Sequence, residues 1–225
     1  MPLDIDRIKA ICFDVDGTLS DTDDVWVNNF STKFSFLKVI SPKKDTRMLA
    51  RWLVMALESP GNVVYELFDR LTLDDEMARL YNWVAHRNPG KKPKQFWLVP
   101  QGLDLIRYFH QRYPLSIVSA RDETSTMNFL RQFEIDHYFK SVVTAQTVPY
   151  TKPFPDPIFK AAKDKGISPE NCLMVGDTTV DIRAGKAAGA QTVGVLCGFG
   201  TEKELRRAGA DLILNHTYEL MSVLN

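Results

Sequence analysis

Six short apolar runs mark the 225-residue chain, each closed by polar or glycine-bearing positions: Ile8–Val15, Leu115–Ala120, Ser141–Ala145, Cys172–Gly176, Gln191–Leu196 and Asp211–Leu214. Their apolarity is continuous and does not alternate. That pattern predicts strands buried on both faces, as in a parallel sheet covered by helices. Helical spacing fills the intervals, as in "GLDLIRYFHQRY" from Gly102 and "DPIFKAAKDKG" from Asp156. The second stretch opens on Asp-Pro and stops at Gly166, matching the preferences of helix starts and ends. Strand and helix in alternation predict an α/β fold with a doubly wound parallel sheet.

One segment breaks the rhythm. From about Ser20 to Trp97 there is no strand pattern, only stripes at helical spacing: Trp26, Phe30, Phe34 and Leu37, then Met48, Trp52 and Met55, then Val64, Leu67 and Leu71, then Met77, Leu80 and Val84. "SP" at 41, "SPG" at 59 and "NPG" at 88 punctuate them. Four helices are expected, with the aromatics as the core of a small bundle. The predicted organisation is a core of residues 1–19 and 98–225 interrupted by an all-helical domain at 20–97. The basic "GKKPK" at 90–94 reads as a solvated loop leading back to the core.

Charge narrows the choice of partners. Lys plus Arg equals Asp plus Glu at 28 each, so the formal net charge is zero. No broad electrostatic attraction to nucleic acid or to an acidic membrane surface follows from that balance. No apolar stretch approaches the roughly 20 residues that span a bilayer, and "MPLDIDRIKAICF" is too acidic and too weakly apolar for a signal peptide. Cys12, Cys172 and Cys197 stand singly in apolar runs and read as buried reduced thiols, which suits a reducing cytoplasm. The expectation is a soluble cytoplasmic protein with no nucleic-acid or membrane partner.

The chemistry lies in the turns after the strands. "ICFDVDGTLSDTDD" ends an apolar run on Asp14 and Asp16, one residue apart. Two carboxylates at a buried strand end repel unless a cation or a shared proton holds them. Ser119 follows the second strand in "SIVSARDE", Lys152 follows the third in "VPYTKPFPDP", and Asp177 and Asp181 follow the fourth in "GDTTVDI". Each has a plain alternative; Asp177 and Asp181 could be a helix cap and a first-turn charge. In a parallel sheet, however, all strand carboxyl ends meet at one edge, where ligands bind. Four acids, a hydroxyl and a lysine therefore converge.

"DVDGTL", Ser119, Lys152 before Pro153, and "GDTTVD" resemble the four motifs of the haloacid dehalogenase-like hydrolase superfamily, in the family's order and across the whole chain. The helical insert resembles the family's type-one cap. "KPFPDPIFKAA", "AGKAAGAQTVGV" and "GFGTEKELRRAGAD" are most similar to phosphoglycolate phosphatase-like members. The resemblance implies a Rossmann-like core and a Mg²⁺-dependent phosphatase acting on a small phosphorylated metabolite, with phosphoglycolate as a lead. Mg²⁺ suits such chemistry because it prefers oxygen ligands and binds a few carboxylates together with substrate phosphate.

On that reading Asp14 and Asp177 ligate the metal with the Asp16 backbone carbonyl, and Asp181 binds directly or through water. Asp14 is the nucleophile, and Asp16 is first the acid and then the base. Lys152 offsets negative charge on Asp14 and the phosphate, while Ser119 and neighbouring N–H groups donate to phosphoryl oxygens. Gly17 permits close backbone approach and Thr18 orients the two acids. Ala120 and Arg121 follow Ser119 where many relatives place Gly or Asn. The Ala120 N–H survives that change; Arg121 is open between contacting substrate and being a solvated residue before the helix at 122. His86, His110, His137 and His216 belong to no motif. A phosphosugar mutase of the same superfamily and a non-enzymatic binding protein on the same fold remain alternatives. A dehalogenase fits less well, because Asp16 suits protonation of an alkoxide.

Overall fold

The computed structural model describes residues 3–21 and 96–225. The expected helical domain at 20–97 therefore lies, apart from its edge residues, outside the described residues, as does "GKKPK". The described residues form one compact unit built from two chain segments.

Its centre is a six-stranded sheet with the order β3-β2-β1-β4-β5-β6. The strands are β1 (Ala10–Phe13), β2 (Leu115–Val118), β3 (Phe139–Val143), β4 (Cys172–Gly176), β5 (Gln191–Val195) and β6 (Leu212–Leu214). Every neighbouring pair is parallel. The crossovers are helices: α1 (Gly102–His110), α2 (Glu123–Gln132), α3 (Asp156–Lys165), α4 (Thr179–Ala187) and α5 (Glu202–Ala208), with a short α6 (Leu220–Val223) at the end. The order reverses at β1, which has β2 on one side and β4 on the other, so ligand-binding turns gather around it.

Strand β1 explains the unbroken apolar runs. Ile11 and Phe13 point into a core with Leu105, Ile106, Phe109, Phe129 and Leu130, whereas Ala10 and Cys12 point into a second core with Val118, Ile158 and Ala161. Both faces are covered, so no position in the strand can be polar. The second core is rich in alanine, including Ala161, Ala162, Ala184 and Ala188, which lets α3 and α4 lie close to the sheet. Gly166 adopts φ +64° and closes α3, as its position after the helical pattern predicts.

At the functional edge β1 and β2 are shorter than their apolar runs, stopping at Phe13 and Val118, whereas β4 ends at Gly176 as its run does, so that Asp14, Ser119 and Asp177 are each the first residue beyond a strand. Strand β3 starts at Phe139, two residues earlier than its pattern suggests. All three cysteines are free thiols, Cys12 and Cys172 buried and Cys197 half-buried. Among the described residues no helix is long and apolar enough to cross a membrane.

Asp211 fastens the far side of the sheet. Its Oδ2 accepts from the N–H of Thr192 at 2.8 Å and its hydroxyl at 3.1 Å, while Oδ1 accepts from Lys186 Nζ at 2.8 Å. Burial works against its charge, but the Lys186 and Thr192 donors outweigh it and hold the carboxyl below the usual range. A lowered folded-state value stabilises above the unfolded value, and the benefit disappears as pH falls through the folded one. We expect Asp211→Asn to lose about 1 kcal/mol near neutral pH. The gap to wild type should close as pH falls below the usual carboxylate range, and urea unfolding across pH checks both.

Candidate active site

The turn after β1 is built around Val15. Its carbonyl accepts from Leu19 N–H at 2.9 Å and Ser20 N–H at 2.7 Å, folding residues 15–20 into a tight loop. Gly17 sits at φ +70°, and a Cβ there would run into the Asp177 carboxylate and the backbone of Gly198. Only glycine serves at this point. Thr217 Oγ1 donates to the Thr18 carbonyl at 2.7 Å, and Cys197 Sγ donates to the Gly17 carbonyl at 3.3 Å. The loop is thus pinned from behind by the carboxyl-terminal part of the chain. Ser20 also pairs with Leu98 in an antiparallel bridge, so the two chain crossings into and out of the insert lie side by side.

On this platform the charged groups meet. Lys152 Nζ lies 2.7 Å from Asp14 Oδ1 and 2.6 Å from Asp181 Oδ1. Their side chains are 3%, 9% and 0% exposed, so the cluster is essentially out of water. Asp181 has two duties. At the third position of α4 its Oδ2 accepts from the Thr178 N–H at 3.0 Å and hydroxyl at 2.7 Å, closing a capping box. The helix-cap reading of Asp181 is realised, and its other oxygen faces Lys152. Asp177, fully buried, accepts from Thr18 Oγ1 at 3.4 Å and from the Phe199 N–H at 2.7 Å. Thr18, expected to orient Asp14 and Asp16, serves Asp177 instead, because the positive φ of Gly17 turns the loop towards β4.

Carboxylate oxygens of Asp14, Asp177 and Asp181 lie within 4.8 Å of one another. An all-oxygen, buried donor set of this kind fits a hard divalent cation. The electrostatics agree. Burial pushes the Asp14 carboxyl up to about 7; Lys152 opposes that rise, while Asp181 and Asp16 add to it. For Lys152, burial pulls the ammonium down, but Asp14 and Asp181 outweigh it and drive it upwards. Four carboxylates face Lys152 and Arg121, leaving room for two further positive charges among the described residues.

Asp16 and Arg121 form the other half. The Arg121 fork is bidentate, with Nε and Nη2 each donating to one Asp16 oxygen. The Arg121 guanidinium carbon lies 5.2 Å from the centre of the Phe96 ring. Its side chain is 13% exposed, so it is not the solvated residue that one reading allowed; Asp122 caps α2 instead, accepting from Ser125 N–H at 2.9 Å. Ser119 is buried at the end of β2, and its Oγ accepts from the Arg121 N–H at 3.1 Å. That leaves the Ser119 hydroxyl proton for another acceptor. Ala120, partly buried, lies between the two.

Residues 11–195 match the family model described as haloacid dehalogenase-like hydrolase. The chain belongs to the haloacid dehalogenase-like hydrolase family. Among curated relatives of this hydrolase, the pyrophosphatase PpaX of Anoxybacillus flavithermus is 30% identical over 219 residues, covering 97% of each chain. The phosphoglycolate phosphatase of Haemophilus influenzae is 26% identical over 228 residues, covering 97% of this chain and 99% of the relative. A haloacid dehalogenase-like hydrolase from Streptococcus pneumoniae superposes with a TM-score of 0.66 at 22% identity, covering 98% of this chain and 100% of that one. A hydrolase from Pseudomonas syringae gives 0.66 at 23%, covering 96% and 97%.

Sequence reasoning missed the residues behind this hydrolase's acidic cluster. Cys197, Gly198, Phe199 and Thr217 support Gly17, Thr18 and Asp177. A signal was present in "CGFGT" directly after β5, since a Cβ on Gly198 would strike the Asp177 carboxylate. His110 bonds the Tyr138 carbonyl through its ring nitrogen and His216 stacks on Tyr218. Removing Lys152 should leave buried carboxylates uncompensated. We expect Lys152→Met to cost about 3 kcal/mol in metal-free buffer. Added Mg²⁺ should restore more of its melting temperature than it adds to wild type, a comparison that thermal unfolding with and without EDTA makes directly.

Proposed function

We propose that this hydrolase is a Mg²⁺-dependent phosphatase that cleaves a small phosphate monoester through an aspartyl-phosphate on Asp14. The observation that carries the reading is Lys152 bridging Asp14 and Asp181, with an Asp177 oxygen within 4.8 Å of theirs. A phosphate ester is anionic and resists an anionic nucleophile unless charge is neutralised around both. Asp14, Asp177 and Asp181, with the Asp16 carbonyl, would hold Mg²⁺, which when bound offsets charge on the phosphoryl oxygens and orients them. Lys152 opposes the upward displacement of the Asp14 carboxyl and holds its Oδ1 at 2.7 Å.

An Asp14 oxygen attacks phosphorus as the bond to the ester oxygen breaks, and Asp16, having left the Arg121 fork and taken a proton from solvent, gives that oxygen the proton. Asp16, now ionised, takes a proton from water, whose oxygen attacks phosphorus and releases Asp14. Ser119, through its hydroxyl, and the Ala120 N–H are suited to donate to the phosphoryl oxygens. The segment 20–97 is proposed to act as a helical cap that excludes water and favours small substrates. The named relatives suggest pyrophosphate and phosphoglycolate as first compounds to try. Three unpaired thiols suit a cytoplasmic enzyme.

With a chromogenic phosphate ester, EDTA should abolish turnover and Mg²⁺ restore it. We expect Asp14→Asn to lose at least about a thousandfold in kcat while keeping its fold, because an amide is a poor nucleophile. Retention of a tenth of wild-type activity would remove Asp14 from the central role. Asp177→Ala should raise the Mg²⁺ concentration for half-maximal rate about tenfold or more; a titration that overlays wild type would overturn the metal assignment.

A further inference from the structure

The turn after β1 depends on a segment that follows β6. Within the turn, the Val15 carbonyl accepts from the Leu19 and Ser20 N–H groups at 2.9 and 2.7 Å, but from the Thr18 N–H at 3.3 Å. Thr18 also follows Gly17, which has no side chain to limit its backbone torsions. The turn's own bonds therefore hold Thr18 least firmly. The further restraint comes from Thr217, whose Oγ1 donates to the Thr18 carbonyl at 2.7 Å. Thr18 and Thr217 are 0% and 1% exposed, so water does not compete for this bond. Thr217 opens a 3₁₀ turn, Thr217–Glu219, that is fixed on either side. The Glu219 carboxylate accepts from the Asn215 N–H at 3.0 Å, and Leu220 is fully buried in the main core.

Thr18 in turn touches a candidate metal ligand. Its Oγ1 donates to Asp177 Oδ1 at 3.4 Å, while the Phe199 N–H donates to Oδ2 at 2.7 Å. A threonine side chain is stiff at χ1, so its hydroxyl goes where its backbone is turned. Fixing the Thr18 carbonyl therefore fixes the direction of the Thr18 hydroxyl, and with it one side of the Asp177 carboxylate. Cys197 gives weaker support alongside: its thiol, a poor donor, reaches the Gly17 carbonyl at 3.3 Å. Thr217 has one hydroxyl proton, already given to Thr18, so it can only accept at its 3.5 Å contact with Cys197. We infer that Thr217 is a positioning residue for Asp177, acting through Thr18, and that it sets how tightly the acidic cluster binds Mg²⁺. The inference rests on the proposed metal role of Asp177. A group bonded directly to a metal ligand typically changes affinity by about 10- to 100-fold. Thr217 acts one bond further away, so a change of about three- to tenfold is expected.

Calorimetric titration with Mg²⁺ tests this without turnover. Thr217→Val keeps the shape of the side chain and removes the donor, and its Kd for Mg²⁺ should rise about three- to tenfold. Thr217→Ser keeps the hydroxyl and should recover most of the affinity. Leu224→Ala, which opens a cavity at a core position of the same segment, is the control for plain destabilisation and should leave Kd unchanged. A partly folded sample lowers the fitted stoichiometry and not the affinity, so a destabilised variant still reports. In the phosphatase assay, Thr217→Val should need correspondingly more Mg²⁺ for half-maximal rate, yet reach the wild-type kcat at saturation. An unchanged Kd in Thr217→Val, an equal loss in Leu224→Ala, or a kcat deficit that saturating Mg²⁺ leaves in place would each overturn the inference. Mg²⁺ binding that weakens as expected in a protein that hydrolyses no phosphate ester supports the role of Thr217 and counts against the phosphatase reading instead. A wild type that binds no Mg²⁺ removes the metal role of Asp177 and the inference with it.

Discussion

The constraint on which this site depends is the confinement of carboxylates at a dry sheet edge. Asp14, Asp177 and Asp181 are buried, and each would be costly as an isolated charge in low dielectric. Lys152 is the buried counter-ion that makes Asp14 and Asp181 tolerable together. Burial still displaces the Asp14 carboxyl upwards against Lys152, and Asp181 and Asp16 add to that rise. Such a buried, all-oxygen set suits the divalent cation proposed for it, and full neutralisation by protein groups would weaken that fit.

The sheet makes the confinement possible. Because β1 and β4 are parallel neighbours, with Phe13 opposite Val175, Asp14 leaves β1 at the level of Gly176, one residue before Asp177 leaves β4. The Asp14 N–H still bonds Val175 O at 3.0 Å, so the nucleophile candidate hangs on the last rung of the sheet and not on a loose loop. Asp177 and Asp181 are fixed by a backbone N–H and a capping box respectively. Rigid elements thus hold the groups at the phosphoryl side, as a preorganised electrostatic site requires.

Much of this could be read from the chain before any coordinates. Continuous apolar runs announced doubly covered parallel strands, and β1 shows why, since its alternate residues enter two different cores. Asp14, Asp177, Asp181 and Lys152 could be named because their positions after successive strands bring them to one edge. What pattern could not convey was the wiring between distant segments. Thr18 serves Asp177 across 159 residues of sequence, and Thr217 reaches Thr18 across 199. Such bonds depend on the three-dimensional path of the loop, which a positive φ at Gly17 sets and local spacing does not encode. Arg121 is the instructive intermediate. Its place after Ser119 marked it for attention, but a helix start with a charged residue looks the same whether that residue is solvated or bound.

The contrast between the two acids of the first loop follows from where each is anchored. Asp14 continues β1, so its backbone moves only with the sheet. Asp16 is two residues further on, bridged to Ser20, and Ser20 in turn pairs with Leu98 where the second chain segment enters. The nucleophile candidate is therefore tied to the sheet, while the acid–base candidate is bridged to Ser20 and paired with Arg121. Covalent attack tolerates little positional error, since reacting atoms must be held close and aligned. A proton donor that serves twice, first on the ester oxygen and then on water, must reach two places. An anchor on the sheet at Asp14, and at Asp16 a place in the loop beyond it, suit the proposed division of labour.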